Sequence, residues 1–344
     1  MHLNRPATSS FRSNFSRPSN ISSRTLFLVL FALICFAAPK IAIAQEAAAP
    51  GAQDAAVQAQ MRNVMYHFTE SVAVHIKSLN GSLLPRGKNE FPIFDDKESF
   101  ILHIDNAEIT MAATDLANVL NSYVFAPPHN VLSGVSITLE NGQMKIKGRL
   151  HQKGDIPFET DGTLSLTPDG NIRLHSEKIK ALHLPVKRLM DMFGIEISDL
   201  IKNGKVPGVE AQEDDLILDV QKLLPPPQMQ GRLTALHIEG DTIVLTFGGS
   251  GVNPVKFVQS GNYMFYHGNR LRFGKLTMAD ADLMLIDMDP NDPFDFYLER
   301  YKDQLVAGYS KITPHFGLRS YVKDFNKLSK PKLAAKQMST EQRR

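Results

Sequence analysis

The chain has 344 residues, with 38 Lys and Arg against 36 Asp and Glu and a single cysteine. That length is enough to bury a core in one large domain or two smaller ones without a disulfide to staple it. The composition shows neither a basic face nor interleaved aromatics, so nucleic acid is excluded as a partner.

Arg5, Arg12, Arg17 and Arg24 precede an apolar run from Leu26 to Ala38, and no acidic residue comes before Glu46. Ala42-Ile43-Ala44 then offers small residues at the two positions that a signal peptidase reads. Residues 1–44 therefore read as a secretory signal peptide. Pro39-Lys40 interrupts the apolar run, which favours cleavage, with an uncleaved N-terminal anchor as the alternative. Cys35 follows Ile34, which is not the small residue that a lipoprotein site needs. Cleavage removes five of the 38 basic residues and leaves 33 against 36 acidic. The expected location is the periplasm or cell envelope.

Residues 45–58 are Ala-, Gln- and Gly-rich, and 45–70 reads as a flexible leader with a candidate first helix. Val72 to Leu84 and Phe100 to Met111 read as strands, separated by a loop over Pro85 to Pro92. Thr114 reads as the N-cap of a helix. Its stripe of Leu116, Val119, Leu120, Tyr123 and Val124 recurs at helical spacing. Four strands follow over residues 131–181. Val135, Ile137 and Leu139 alternate with polar neighbours, and so do Met144 and Ile146 after Asn141-Gly142. Phe158, Leu164 and Leu166 continue the pattern, and after Pro168-Asp169-Gly170 come Ile172 and Leu174. A period of two makes a sheet with one apolar face, and Asn-Gly suits its tight turn.

Pro185 opens a second amphipathic helix, through Phe193. Asp215 to Val220, Arg232 to Glu239 and Thr242 to Phe247 read as strands. So do Asn262 to His267, Leu271 to Met278 and Ala281 to Met288, with Gly268-Asn269 as a hairpin turn. Asp292-Pro293 opens a helix through about Leu305. Residues 323–344 form a basic tail, read as disordered, that offers peripheral contact with anionic lipid. Many long strands and few helices make an α+β chain, whose sheet either stacks on another or curls around something.

No catalytic signature stands out. Gly248-Gly249-Ser250-Gly251 lacks both the nucleophile-elbow and the phosphate-loop pattern. The histidines beyond the leader, among them His75, His103, His151, His175, His183 and His237, show no ligand spacing, so no zinc site is expected. A Ser-His-Asp triad assembles in space and stays open. The run Asp287 to Pro293 starts like a calcium loop, D-x-D-x-N. Asp292 stands at the sixth position, where glycine is needed, and Leu298 at the twelfth. A strand end followed by a helix cap accounts for the same residues, so neither metal nor cofactor is expected.

Four segments in order carry a family resemblance. They are Ile109-Thr-Met-Ala-Ala-Thr-Asp-Leu-Ala-Asn-Val-Leu120, Asn141-Gly-Gln-Met-Lys-Ile-Lys-Gly148, Ile179-Lys-Ala-Leu-His-Leu-Pro185 and Leu216-Ile-Leu-Asp-Val-Gln-Lys-Leu-Leu-Pro225. In this order the chain resembles the LmeA-type phospholipid-binding family of exported bacterial proteins, relatives of the tubular lipid-binding (BPI-like) superfamily. The resemblance covers about half of the chain beyond the leader. It implies a domain over 71–247. The strands from Asn262 to Met288 and the helix after Asp292 depart from the family's pattern, so 248–322 is read as a β-rich extension with a C-terminal helix. The resemblance also implies a long, strongly curved antiparallel sheet wrapped around a few amphipathic helices, with an apolar groove for phospholipid or another acyl lipid. The expected lining is Leu116, Val119, Leu120, Tyr123, Val135, Ile137, Leu139, Met144, Ile146, Leu164, Leu166, Ile172 and Leu174. The chemistry expected is binding rather than catalysis. A non-catalytic envelope assembly module is the alternative, and a lipid or glycan hydrolase a more distant one. The 13 methionines and the absence of Trp suit an adaptable apolar lining.

Overall fold

A computed structural model describes residues 56–125, 132–140, 142–151, 155–181, 184–185, 208–212, 215–248 and 259–328. The expected signal peptide, the helix after Pro185, residues 249–251 and the tail beyond residue 328 lie outside the described residues.

Three long strands come first, β1 (Val57–Thr69), β2 (Val72–Pro85) and β3 (Phe100–Ala112). Helix α1 (Ala113–Val119) follows and widens into a π-turn over Leu120–Val124. The meander is β4 (Leu132–Glu140), β5 (Gln143–His151), β6 (Asp155–Leu166) and β7 (Ile172–Ala181). Next come β8 (Leu184–Pro185), β9 (Val209–Gln212), β10 (Asp215–Leu218), helix α2 (Val220–Leu223) and β11 (Gln228–Gln230). β12 (Leu233–Glu239), β13 (Thr242–Phe247), β14 (Tyr263–Phe273), β15 (Leu276–Asp287) and β16 (Phe294–Tyr297) follow. Helix α3 (Tyr301–Val306), β17 (Tyr309–Ile312) and β18 (Leu318–Val322) close the described order.

The strands form two open sheets. One has 11 strands in the order β12-β13-β3-β2-β1-β14-β15-β18-β17, with β11 beside β3 and β16 beside β1. The other has seven, β4-β5-β6-β7-β10-β9, with β8 beside β7. Neither is closed or strongly curled, and the helices are short. The expected α+β fold, a strongly curved sheet wrapped around helices, is therefore corrected to a mostly β protein. One hydrophobic cluster draws Ile109 and Leu245 from the first sheet, Leu139 and Leu174 from the second and Leu116 from α1. A second apolar face covers the first, so neither sheet needs to curl to hide its own.

The largest local correction is β1, which replaces the leader and helix expected up to residue 70. Val57, Ala59 and Met61 point inward before Asn63, and Val64, Tyr66 and Phe68 after it. Asn63 sits at φ 51°, a left-handed conformation that asparagine tolerates. Its side chain donates to Asn262 Oδ1 at 2.8 Å and accepts from His75 Nε2 at 2.7 Å. At that kink β1 changes partners, from antiparallel β14 to parallel β16.

Strands from both sides of residue 248 share the first sheet, so the expected domain boundary there runs through a ladder. Gly268-Asn269 is not a hairpin but the middle of β14, and the chain turns after Phe273 instead. The helix expected from Asp292 to about Leu305 starts late: Phe294–Tyr297 is strand, and helical turns begin only at Leu298. Phe294 and Phe296 are 0% and 1% exposed, and their strand β16 pairs with Val64–His67. Burying two aromatic rings outweighs the local capping preference. Residues 323–328, expected to start the disordered tail, carry a helical turn over Phe325–Lys327, and Asp324 is buried.

The role of Gly268 is steric. A Cβ there would lie 2.8 Å from the Ala56 carbonyl oxygen and 2.9 Å from Val57 Cα. Both obstacles are backbone of the neighbouring strand. Gly268→Ala should therefore destabilise the fold by about 1–3 kcal/mol in chemical denaturation, and an unchanged midpoint would contradict this packing.

Candidate functional site

Two apolar cavities adjoin inside the core. The larger, about 40 Å3, lies among side chains of β1, β2, β3, β13, β14 and β16, and Phe94 and Met229 also line it. The smaller, about 30 Å3, lies between the two sheets beside α1. Met111, Val220, Leu224 and Leu245 line both and so form the partition between them. A water-sized probe needs roughly 10–15 Å3, so each cavity has room for little more than a few heavy atoms, and an apolar lining keeps such space dry.

The smaller cavity unites part of the expected lining. Leu116, Val119, Leu120, Leu164, Ile172 and Leu174 all face it. Val135, Ile137, Leu139, Met144 and Ile146 line neither cavity and are packed core residues instead. Tyr123 and Leu166 are partly buried against the same cluster and also line neither.

Helix α1 is seated by polar contacts as well as by its stripe. Its N-cap is Ala112 rather than Thr114, with no side-chain cap. Asp115 instead accepts from the Ala73 backbone N–H on β2 at 2.9 Å, and burial holds its carboxyl above the ordinary value. Asn121 bonds both the N–H and the C=O of Val135, at 2.9 and 2.7 Å, and so fixes the turn against β4.

Sequence reasoning missed the walls of the larger cavity. Met61, Tyr66 and Phe68 come from β1, and Phe94 from the loop before β3. That loop is stitched to β14 by Phe94 N–H to Arg272 O at 2.8 Å and Arg272 N–H to Pro92 O at 3.1 Å. Phe94 then meets Tyr266, Phe273, Phe296 and Tyr301 at ring-centroid distances of 5.1–6.1 Å. The Tyr-x-Phe alternation of residues 66–68 was the available signal.

The acidic loop has gathered a cation from its own chain. Lys327 Nζ lies 2.7 Å from Asp289, 2.9 Å from Asp292 and 2.9 Å from Asp324. Oxygens of these three carboxylates lie within 4.8 Å of one another. Of these three carboxylates only Asp289 belongs to the D-x-D-x-N spacing, so the cluster is not the calcium-like loop but a lysine clasp. Asp287 stands behind, accepting from Asn262 Nδ2 at 2.9 Å and the Asp289 N–H at 2.8 Å. Burial, and beyond it the charges of Asp324 and Asp292, push its carboxyl up to about 6.

One Ser-His-Asp line does form. Ser133 Oγ is 2.6 Å from His151 Nε2, and His151 Nδ1 is 3.5 Å from Asp155. Asp155 also takes Arg149 Nε at 2.8 Å, both His151 and Asp155 are exposed, and neither cavity reaches them. A surface ion-pair network accounts for this arrangement. Among the described residues no helix is long and apolar enough to cross a membrane.

Comparison with known protein families, curated proteins and solved structures finds no match for this chain.

The raised Asp287 gives a pH signature. An acid protonated more readily in the folded than in the unfolded state contributes stability below its ordinary range, near 4, and loses it as pH rises through about 6. Denaturation midpoints should fall between pH 4 and 6.5. Asp287→Asn should flatten that fall, and an equally steep fall in the variant would assign it elsewhere.

Proposed function

We propose that this chain is a non-enzymatic, exported binding protein that carries an acyl chain along the seam between its two sheets. The observation that supports this reading is the pair of adjoining cavities, walled by apolar side chains and divided by only four residues. Met111 is the most pliable of the four, since an unbranched thioether re-packs at low cost. Its displacement, with that of Leu224 at the partly exposed rim, would merge the two spaces into one channel. Each methylene buried there contributes about 0.8 kcal/mol. The tightness of the cavities favours a single chain over a two-chain lipid. Export to the periplasm or cell envelope is part of the same proposal and rests on the leader sequence.

A carrier must meet the membrane it loads from, and the segment from the end of α3 through the β17–β18 turn is suited to that. Val306 and Phe316 are each 87% exposed and Ile312 is 73% exposed, beside the exposed Lys311. Large apolar side chains on one short segment suit insertion among headgroups.

A second reading, an envelope assembly module, is favoured by β17. It is an edge strand exposed at all four positions and so offers an open ladder to a partner.

Lipid extraction and mass spectrometry of protein purified from its host separate the two. A carrier yields a bound single-chain lipid, whereas protein that yields none and binds no apolar fluorescent probe would leave the assembly reading. Met111→Phe, which thickens the partition, should weaken probe binding about tenfold or more while leaving the melting temperature nearly unchanged. Joint replacement of Ile312 and Phe316 by Asp should abolish co-flotation with anionic vesicles without altering probe affinity.

A further inference from the structure

Two tyrosines that line the larger cavity, Tyr66 and Tyr266, make no hydrogen bond through their hydroxyls among the described residues. They are 7% and 2% exposed. Other well-buried tyrosines do better. Tyr263 donates to Gln60, and Tyr301 donates to Asp95 at 2.9 Å. A phenol oxygen that meets a cavity instead of a protein group leaves a hydrogen bond unmade, which a ligand reaching that cavity can complete.

Their surroundings define what that partner is. Tyr66 sits 6.1 Å from Phe296, Phe296 sits 6.1 Å from Phe94, and Phe94 sits 5.4 Å from Tyr266, all between ring centroids. The two phenols thus border one aromatic patch. Among the described residues no Lys, Arg or His lines the cavity, so a phosphate or carboxylate head would be desolvated there without a counter-charge from them. The room, about 40 Å3, matches a head of a few atoms and not a phosphodiester.

We propose that Tyr66 and Tyr266 form the head-group subsite for an uncharged single-chain amphiphile, an alcohol, ester, amide or un-ionised acid, inserted head first. The phenols donate to the oxygen of the head, and the chain runs past Met111 towards Leu174. This rests on the acyl-carrier reading and narrows its ligand from acyl lipids in general to neutral, single-chain ones. Burial raises both phenol pKa values, so the two remain neutral donors at any physiological pH.

The test is displacement of a bound apolar fluorescent probe by decanol, decane and decyl phosphate. Decanol should compete on the order of tenfold better than decane, the value of roughly one net hydrogen bond, and better than decyl phosphate. The Tyr66→Phe/Tyr266→Phe double variant keeps both rings, so it should fold as well as the parent. It should bind decane unchanged and lose the preference for decanol. Equal competition by decanol and decane, preference for the phosphate, or a preference that survives in the double variant would each overturn the head subsite alone. Competition by none of the three would overturn the carrier reading with it.

Discussion

The structure depends on the pairing of β1 along both of its edges. Its inward side chains, from Val57 to Phe68, are almost wholly removed from water. On one edge β2 follows it nearly end to end, and on the other β14 and β16 divide its length at Asn63. Removing β1 would separate β2 and β3 from the strands after residue 262, and with them the walls of the larger cavity. The chain has no disulfide to hold those halves, so burial along this one strand does the joining. Met61, Tyr66 and Phe68 are at once the core of the sheet and the wall of the candidate site.

The same strand shows why only part of this could be read in advance. The meander was readable because its alternation runs unbroken through β4 and β5 and because Asn141-Gly142 marks a tight turn. In β1 the inward set switches from odd to even positions at Asn63, and a period of two with a one-residue slip reads as no period at all. Gly268 misled for a related reason. Glycine marks a turn and also a close approach of backbones, and only the neighbouring strand decides between them. Six of the thirteen expected lining residues face the smaller cavity, because the stripe of α1 and the alternation of the β6–β7 hairpin both point between the sheets. The larger cavity lies among strands far apart in sequence, and no local pattern records which of them meet.

The C-terminal region shows tertiary demands overriding local chemistry. Asp292-Pro293 is a sound helix start, yet the next residues pair with β1 because Phe294 and Phe296 gain more from burial than a cap supplies. Asp292, released from capping, joins Asp289 and Asp324 around Lys327. That lysine ties the segment after β18 to the loop before β16. Asp295 strengthens the tie by accepting from the Asn326 N–H at 3.0 Å, while Gln304 Nε2 donates to the carbonyls of Asp295 and Lys323 at 2.9 Å. An acidic run that looks like a metal loop on paper is here a clasp closed by the chain's own ammonium.

A seam that holds voids and unmet hydroxyls is a loss the fold does not need to bear. Atoms lining an empty cavity forgo dispersion contacts on one side, and a hydroxyl without a partner forgoes its hydrogen bond. Evolution fills such defects easily with a larger side chain or a Tyr-to-Phe change. Their coincidence in one place, around Tyr66, Tyr266 and the Met111 partition, is the ground on which a ligand is proposed there. A ligand that fills the space recovers both losses, so affinity for it and stability of the loaded fold are two readings of the same free energy.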